Sequence, residues 1–177
     1  LLFLFCVTSL KPQNIDIRGA LKGYDLLEER NNLEYSDVKG SPYKHEKFNT
    51  GNVVLNSGDT IENLKLRYNY YTNNFEFKKD ETVMMFTSQT GAEKISYRGD
   101  TYSSEKYKTR KGKIKNVYLK ELVDGHCSLF KLKKTEYKDE HHPEDPMDTY
   151  KPRRFEEQPP EYFLKFSGDP MMEKIAV

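Results

Sequence analysis

The chain holds one cluster of metal-ligand residue types, His141-His142 with Glu144, Asp145 and Asp148. Neighbouring residues of a strand point to opposite faces, so adjacent histidines do not readily close on one ion from a regular strand. Pro143 and Pro146 mark an exposed loop, and no distant His or Cys set completes a site. The stretch reads as a solvated acidic loop, and no metal ligand is assigned. His45 and His126 are isolated and read as surface or turn residues.

Other chemistries find less. A catalytic serine wants a His and an Asp in reach, often on a Gly-x-Ser-x-Gly elbow, and no such elbow occurs. The 10 glycines are scattered singly through turns, so there is no phosphate-cradling loop. Glu28-Glu29 and Glu156-Glu157 are adjacent acidic pairs of the kind common on solvated surfaces. General acid–base work needs two carboxyls facing one pocket, which spacing alone does not establish. No catalytic, cofactor-binding or metal residue is therefore assigned, no cofactor is expected, and the reading leans away from an enzyme.

One basic stretch remains. Lys106, Lys108, Arg110, Lys111, Lys113 and Lys115 are interleaved with Tyr102, Tyr107 and Tyr118. Cations between aromatic rings suit stacking on bases or sugars, or an anionic surface. A charged hairpin turn whose lysines guard a sheet edge is the reading preferred. The whole chain carries 29 Lys+Arg against 28 Asp+Glu, a net charge of +1, which argues against a dedicated nucleic-acid binder.

The elements around these residues are strands. Of 177 residues, 13 are Tyr, 10 are Phe and none is Trp, a composition that suits a pleated surface. Val53 and Leu55 alternate, and Asn56-Ser57-Gly58-Asp59 supplies a turn. Leu64, Leu66, Tyr68 and Tyr70 then fall on every second position, with Lys65, Arg67 and Asn69 between them. Asn73-Asn74 suits a tight hairpin turn, with Phe75 and Phe77 on the returning strand. Lys79-Asp80 turns into Thr82–Phe86. Glu93–Arg98 reads as a strand, Gly99-Asp100 as a turn, and Thr101–Lys108 as a weak polar strand or edge. Val117–Val123 and Cys127–Leu132 flank Asp124-Gly125, a specific hairpin signal. A mobile loop is expected over 138–149, a last strand at Tyr162–Phe166, and the first turns of a helix from Met171.

The first thirteen residues differ. Leu1-Leu2-Phe3-Leu4-Phe5-Cys6-Val7 is an apolar run too short to span a bilayer, followed by polar Lys11-Pro12-Gln13. It reads as the remnant of a signal peptide rather than a buried strand, with cleavage near Gln13. Bulky Phe5 before Cys6 argues against a lipid anchor. Cleavage there leaves Cys127 as the sole cysteine, without a disulfide partner, and it reads as a small buried hydrophobe.

Tyr24-Asp25-Leu26-Leu27-Glu28-Glu29, the run from Leu33 to Tyr43, and Leu64-Lys65-Leu66-Arg67-Tyr68-Asn69 resemble segments of an uncharacterised exported family of Bacteroidetes-type bacteria. The resemblance covers most of residues 20–166. It implies a signal peptide, a β-rich body and a helical tail, and it implies no activity.

The expectation is a mainly β protein with little helix: an antiparallel meander of about seven to nine strands curled into a sandwich, roll or incomplete barrel. The signal remnant covers 1–13, a mixed or extended segment with at most a short helix 14–48, the β domain 49–166, and the start of a truncated C-terminal segment 167–177. One sheet face is expected to bury Leu64, Leu66, Tyr68, Phe75, Phe77, Leu129 and Phe130. The expected role is that of a non-catalytic exported protein of the bacterial cell envelope, periplasmic, outer-membrane associated or secreted, with no transmembrane segment in the mature chain. It would bind a protein or carbohydrate partner through its sheet surface, the abundant strand Tyr residues offering apolar bodies with polar tips. The alternative is a small hydrolase or ligand-carrying barrel with residues 138–149 as a lid. A component of a toxin–antitoxin or secretion system is a third possibility, without internal support in the sequence.

Overall fold

A computed structural model describes residues 35, 37–79, 82–86, 91–143, 145 and 147–176. The signal-like run 1–13 and residues 14–34 of the mixed segment lie outside these residues. The described chain is all β, in one open antiparallel sheet of ten strands. These are β1 (Asn49–Leu55), β2 (Thr60–Asn69), β3 (Asn74–Lys79), β4 (Thr82–Met85), β5 (Ala92–Tyr97), β6 (Asp100–Lys108), β7 (Ile114–Val123), β8 (Cys127–Lys138), β9 (Arg154–Phe166) and β10 (Glu173–Ile175). Their order in the sheet is β10-β9-β8-β7-β6-β5-β1-β2-β3-β4. Two meanders thus join where β5 returns to pair with the open side of β1.

The sheet buries a different face in each half. On the front face, Val53, Leu55, Ile61, Leu66, Tyr68, Phe75, Phe77, Ile95, Tyr102 and Tyr118 form one core. Phe75 of β3 meets Tyr102 of β6 and Tyr118 of β7 at ring-centroid distances of 5.0 and 5.6 Å. The Tyr68 hydroxyl donates to the Tyr118 carbonyl at 2.7 Å. Strands far apart in the sheet touch in this way only because the front face curls on itself. On the back face, Tyr107, Val117, Leu119, Phe130, Leu132, Phe163 and Met172 form a second core. There the Met172 amide donates to the Lys106 carbonyl at 2.9 Å, drawing the β10 end onto β6. The sheet is therefore two rolls of opposite curvature that share β6 and β7.

This changes several expectations. Leu129 and Phe130 do not share a face with each other: Phe130 belongs to the back core, while Leu129 alternates to the front. Thr101–Lys108 lies in the middle of the sheet, paired to β5 and β7, because Tyr102 and Tyr107 bury on opposite faces. The turn expected at Gly99-Asp100 lies one residue earlier, with Arg98 and Gly99 at φ of 55° and 81°. In the Asn73-Asn74 hairpin only Asn73 takes positive φ (54°), and Asn74 already pairs with Asn69. Asn73 Nδ2 donates to the Tyr70 and Lys133 carbonyls, which ties this turn to β8. The Met171–Val177 stretch forms no helix over its described residues. Instead β10 pairs antiparallel with β9 and Met172 is buried, since backbone pairing and apolar burial outweigh a weak local preference. The loop after β8 is bridged by His141 and Lys151, which exchange backbone hydrogen bonds at 2.8 and 3.0 Å.

Close packing between β1 and its neighbours rests on Gly51. A Cβ there would lie 2.5 Å from the Ser96 carbonyl oxygen and 2.7 Å from a Leu66 methyl. Gly51→Ala is expected to cost about 1–3 kcal/mol by overpacking, read as a lower urea midpoint at unchanged slope. An unchanged midpoint would show that β1 yields without strain.

A tyrosine- and lysine-lined cleft and its counterpart

The mouth of the first roll is a cleft on the front face. Its two lobes, of about 230 and 240 Å³, share Lys44, Tyr68, Tyr70, Asp100 and Tyr102. Strand alternation places these groups. Tyr102 opposite Lys120, and Lys120 opposite Lys131, put one phenol and two ammonium groups on the front face of β6–β8. Tyr68 and Tyr70 come from the end of β2 and its turn. The Tyr70 amide donates to the Pro42 carbonyl at 2.8 Å, which brings Lys44 to the rim.

The electrostatics of the cleft are cationic. Lys120 pairs with Asp100 at 2.6 Å. Among the described residues, Lys44, Lys131 and Lys133 form no ion pair, so their charge is uncompensated within the cleft. Burial, with Tyr70 and Asp100 adding to it, pushes the Tyr102 phenol far above its ordinary range. Burial also raises Tyr70. Both phenols therefore stay neutral at physiological pH, with the Tyr102 hydroxyl hydrogen-bonded to Tyr70. Partial burial, then the charges of Arg98 and Lys44, lowers His45, which favours its uncharged form at the rim.

A second cleft, of about 470 Å³, opens on the back face over the second core. Ser103, Glu105, Ser128 and Lys165 line it, and Glu121 and Lys94 meet across it at 3.3 Å. Among the described residues, none from 138 to 149 lines either cleft.

The residues singled out in the sequence are dispersed. His141 Nε2 contacts Asp148 Oδ2, and His142 lies beside the Tyr150 ring. Among the described residues no three His, Cys, Asp or Glu side chains converge to hold a metal ion. His126 packs near Phe166 at the β8–β9 end, and Cys127 is half-buried opposite the same phenylalanine. Glu156 pairs with Arg154 at 2.6 Å, while Glu157 faces a small recess beside the front cleft; Glu28-Glu29 falls outside the described residues. The Lys106–Lys115 stretch forms the β6–β7 hairpin. Tyr102 and Tyr118 are buried in front, away from these cations, while Tyr107, behind, lines a cleft with Lys108, Arg110, Lys115 and Lys134. The front cleft leaves little mark on the sequence because its residues come from five separate segments. Its one local signal is Lys131 and Lys133 alternating with buried Phe130 and Leu132.

No helix among the described residues is long and apolar enough to cross a membrane. Comparison of the chain with protein-family models, with curated proteins and with solved structures finds no match.

Proposed function

We propose that this chain is a non-catalytic binding protein, exported to the cell envelope, that holds an anionic saccharide in its front cleft. The observation that carries the reading is the set of three uncompensated lysines, Lys44, Lys131 and Lys133, around neutral phenols on a concave sheet face. Ammonium groups attract carboxylate or sulfate, the neutral Tyr70 phenol can donate a hydrogen bond to oxygen, and tyrosine rings offer an apolar body for a sugar face. Nothing in this set is an activated nucleophile: the phenols are pushed away from ionising. The apolar run Leu1–Val7 followed by Lys11-Pro12-Gln13 supports export, in keeping with the exported family that the sequence resembles. The hydrolase reading gains no support from the 138–149 loop, whose described residues border neither cleft.

The test is calorimetry with polygalacturonate and, as a neutral control, dextran of similar length. Polygalacturonate is expected to bind, and more weakly as salt rises. The pair Lys131→Gln and Lys133→Gln is expected to weaken it by roughly two- to thirtyfold, since each solvent-accessible ion pair contributes about 0.2–1 kcal/mol. Equal binding of dextran, or an affinity unchanged in the double variant, would defeat the proposal.

A further inference from the structure

The back cleft is built differently. Five carboxylates line it, those of Glu93, Glu105, Glu121, Asp124 and Asp169, against the two lysines Lys94 and Lys165. Lys165 Nζ donates to both oxygens of Glu105, at 2.9 and 2.7 Å. Lys94 reaches Glu121 at 3.3 Å and Asp124 at 3.8 Å. The excess negative charge repels anions. The Lys165–Glu105 and Lys94–Glu121 pairs set ammonium donors among the carboxylate acceptors within this negative surround.

A second observation is independent of the charges. Ser103 is 4% exposed, and its Oγ has no hydrogen-bond partner. It lies on the back face opposite Leu119 and Lys94, at the wall of the cleft. A buried hydroxyl without a partner costs free energy that the fold does not recover, unless a ligand supplies the missing bond. Its cross-strand neighbour on β5 is Lys94, whose side chain is 41% exposed and reaches toward Glu121 and Asp124. Phe130 contributes an apolar wall and half-exposed Phe166 stands at the rim.

From this we infer that the back cleft is a second binding site, for a sugar unit that carries no anionic group, with Ser103 Oγ completing its hydrogen bonding to a ligand hydroxyl. Hydroxyls both donate and accept, which suits a wall of paired carboxylates, ammonium groups and serines. A CH-rich sugar face suits the phenylalanines. A volume of about 470 Å³ has room for one or two sugar rings. The two clefts lie on opposite faces of β6–β8, so a single domain would hold an anionic and a neutral saccharide at once.

The experiment is amide NMR of the whole chain titrated with N,N′-diacetylchitobiose and, separately, with glucuronate. The neutral disaccharide is expected to shift the amides of Ser103, Ser104, Glu105 and Ser128 and to leave those of Tyr70 and Lys133 unmoved. Ser103→Ala is expected to weaken it by about three- to tenfold, the worth of one hydrogen bond. The same variant is expected to raise the melting temperature of the ligand-free protein, because it removes a hydroxyl that has no partner. Three results would each overturn the inference: no shift at these amides at millimolar disaccharide, equal binding of glucuronate at the same amides, or full affinity in a folded Ser103→Ala protein. The Lys131→Gln and Lys133→Gln pair should leave this titration unchanged, so failure here is distinct from failure of the front-cleft reading.

Discussion

Glu76→Ala should destabilise the protein by about 3 kcal/mol at neutral pH, the lower end of what removal of one partner from a buried ion pair costs. Glu76 sits on the back face of β3 with its side chain 1% exposed. Its Oε2 accepts from Arg67 Nη2 at 2.5 Å and Nε at 3.0 Å. Its Oε1 accepts from Asn69 Nδ2 at 2.9 Å and from the Tyr43 hydroxyl at 3.0 Å. The Arg67 guanidinium lies over the Tyr43 ring at 3.8 Å and the Phe48 ring at 4.5 Å, so the network clamps the segment before β1 onto the sheet. Removing the carboxylate strands a cation that is 18% exposed, and this residual access to water keeps the cost near the lower end. Burial alone raises the Glu76 carboxyl. The hydrogen bonds from Asn69 and Arg67, the Arg67 charge and the Tyr43 hydroxyl together outweigh it and leave the group below its ordinary value. A depressed folded-state value means stability that is present above the unfolded-state value of about 4.3 and is lost as pH falls through the folded one. Urea unfolding should thus show the gap between wild type and Glu76→Ala narrowing below about pH 4. A gap that stays constant from pH 7 to pH 3 would show that packing, not charge, holds the segment.

Clamps of this kind explain what the sequence does and does not disclose. Alternation is a local property, so Leu64, Leu66, Tyr68, Phe75 and Phe77 could be placed on strands and on one face directly. The face a strand buries in a curled sheet depends on strands far away in the chain. Ser103, Ser104 and Glu105 make β6 look like a polar edge, yet they are polar because they line the back cleft in the centre of the sheet. Glu76 reads as an outward residue between two inward phenylalanines; it does face away from the front core, and the Tyr43–Phe48 segment then buries it. Lys131 and Lys133 look like the wet face of a strand. They become a site only because Asn73 and the Tyr70 carbonyl dock the β2–β3 turn against β8, the latter accepting from the Thr135 amide at 3.0 Å. Both clefts are made by long-range closure, which leaves no periodic mark on the sequence.

That closure also determines how a wound in one core is felt in the other. Phe163 is fully buried in the back core, 4.9 Å from the Tyr107 ring. Phe163→Ala should cost about 3–5 kcal/mol through lost transfer free energy and the cavity left behind. Strands β6 and β7 carry residues of both cores: Tyr102 and Tyr118 point forward, Tyr107 and Leu119 backward. A cavity behind them loosens the same backbone that supports the front roll. The variant should therefore unfold in one transition, with tyrosine fluorescence and far-ultraviolet dichroism giving coincident curves at an unchanged slope. Phe75, equally buried in the front core against Tyr68, Tyr97, Tyr102 and Tyr118, should give a loss of similar size when cut to Ala. Two separated transitions in Phe163→Ala, with the front-core amides keeping wild-type protection against hydrogen exchange, would mean that the rolls are independent units. One transition in both variants makes β6–β7 a common wall, through which occupation of one cleft can stiffen the other.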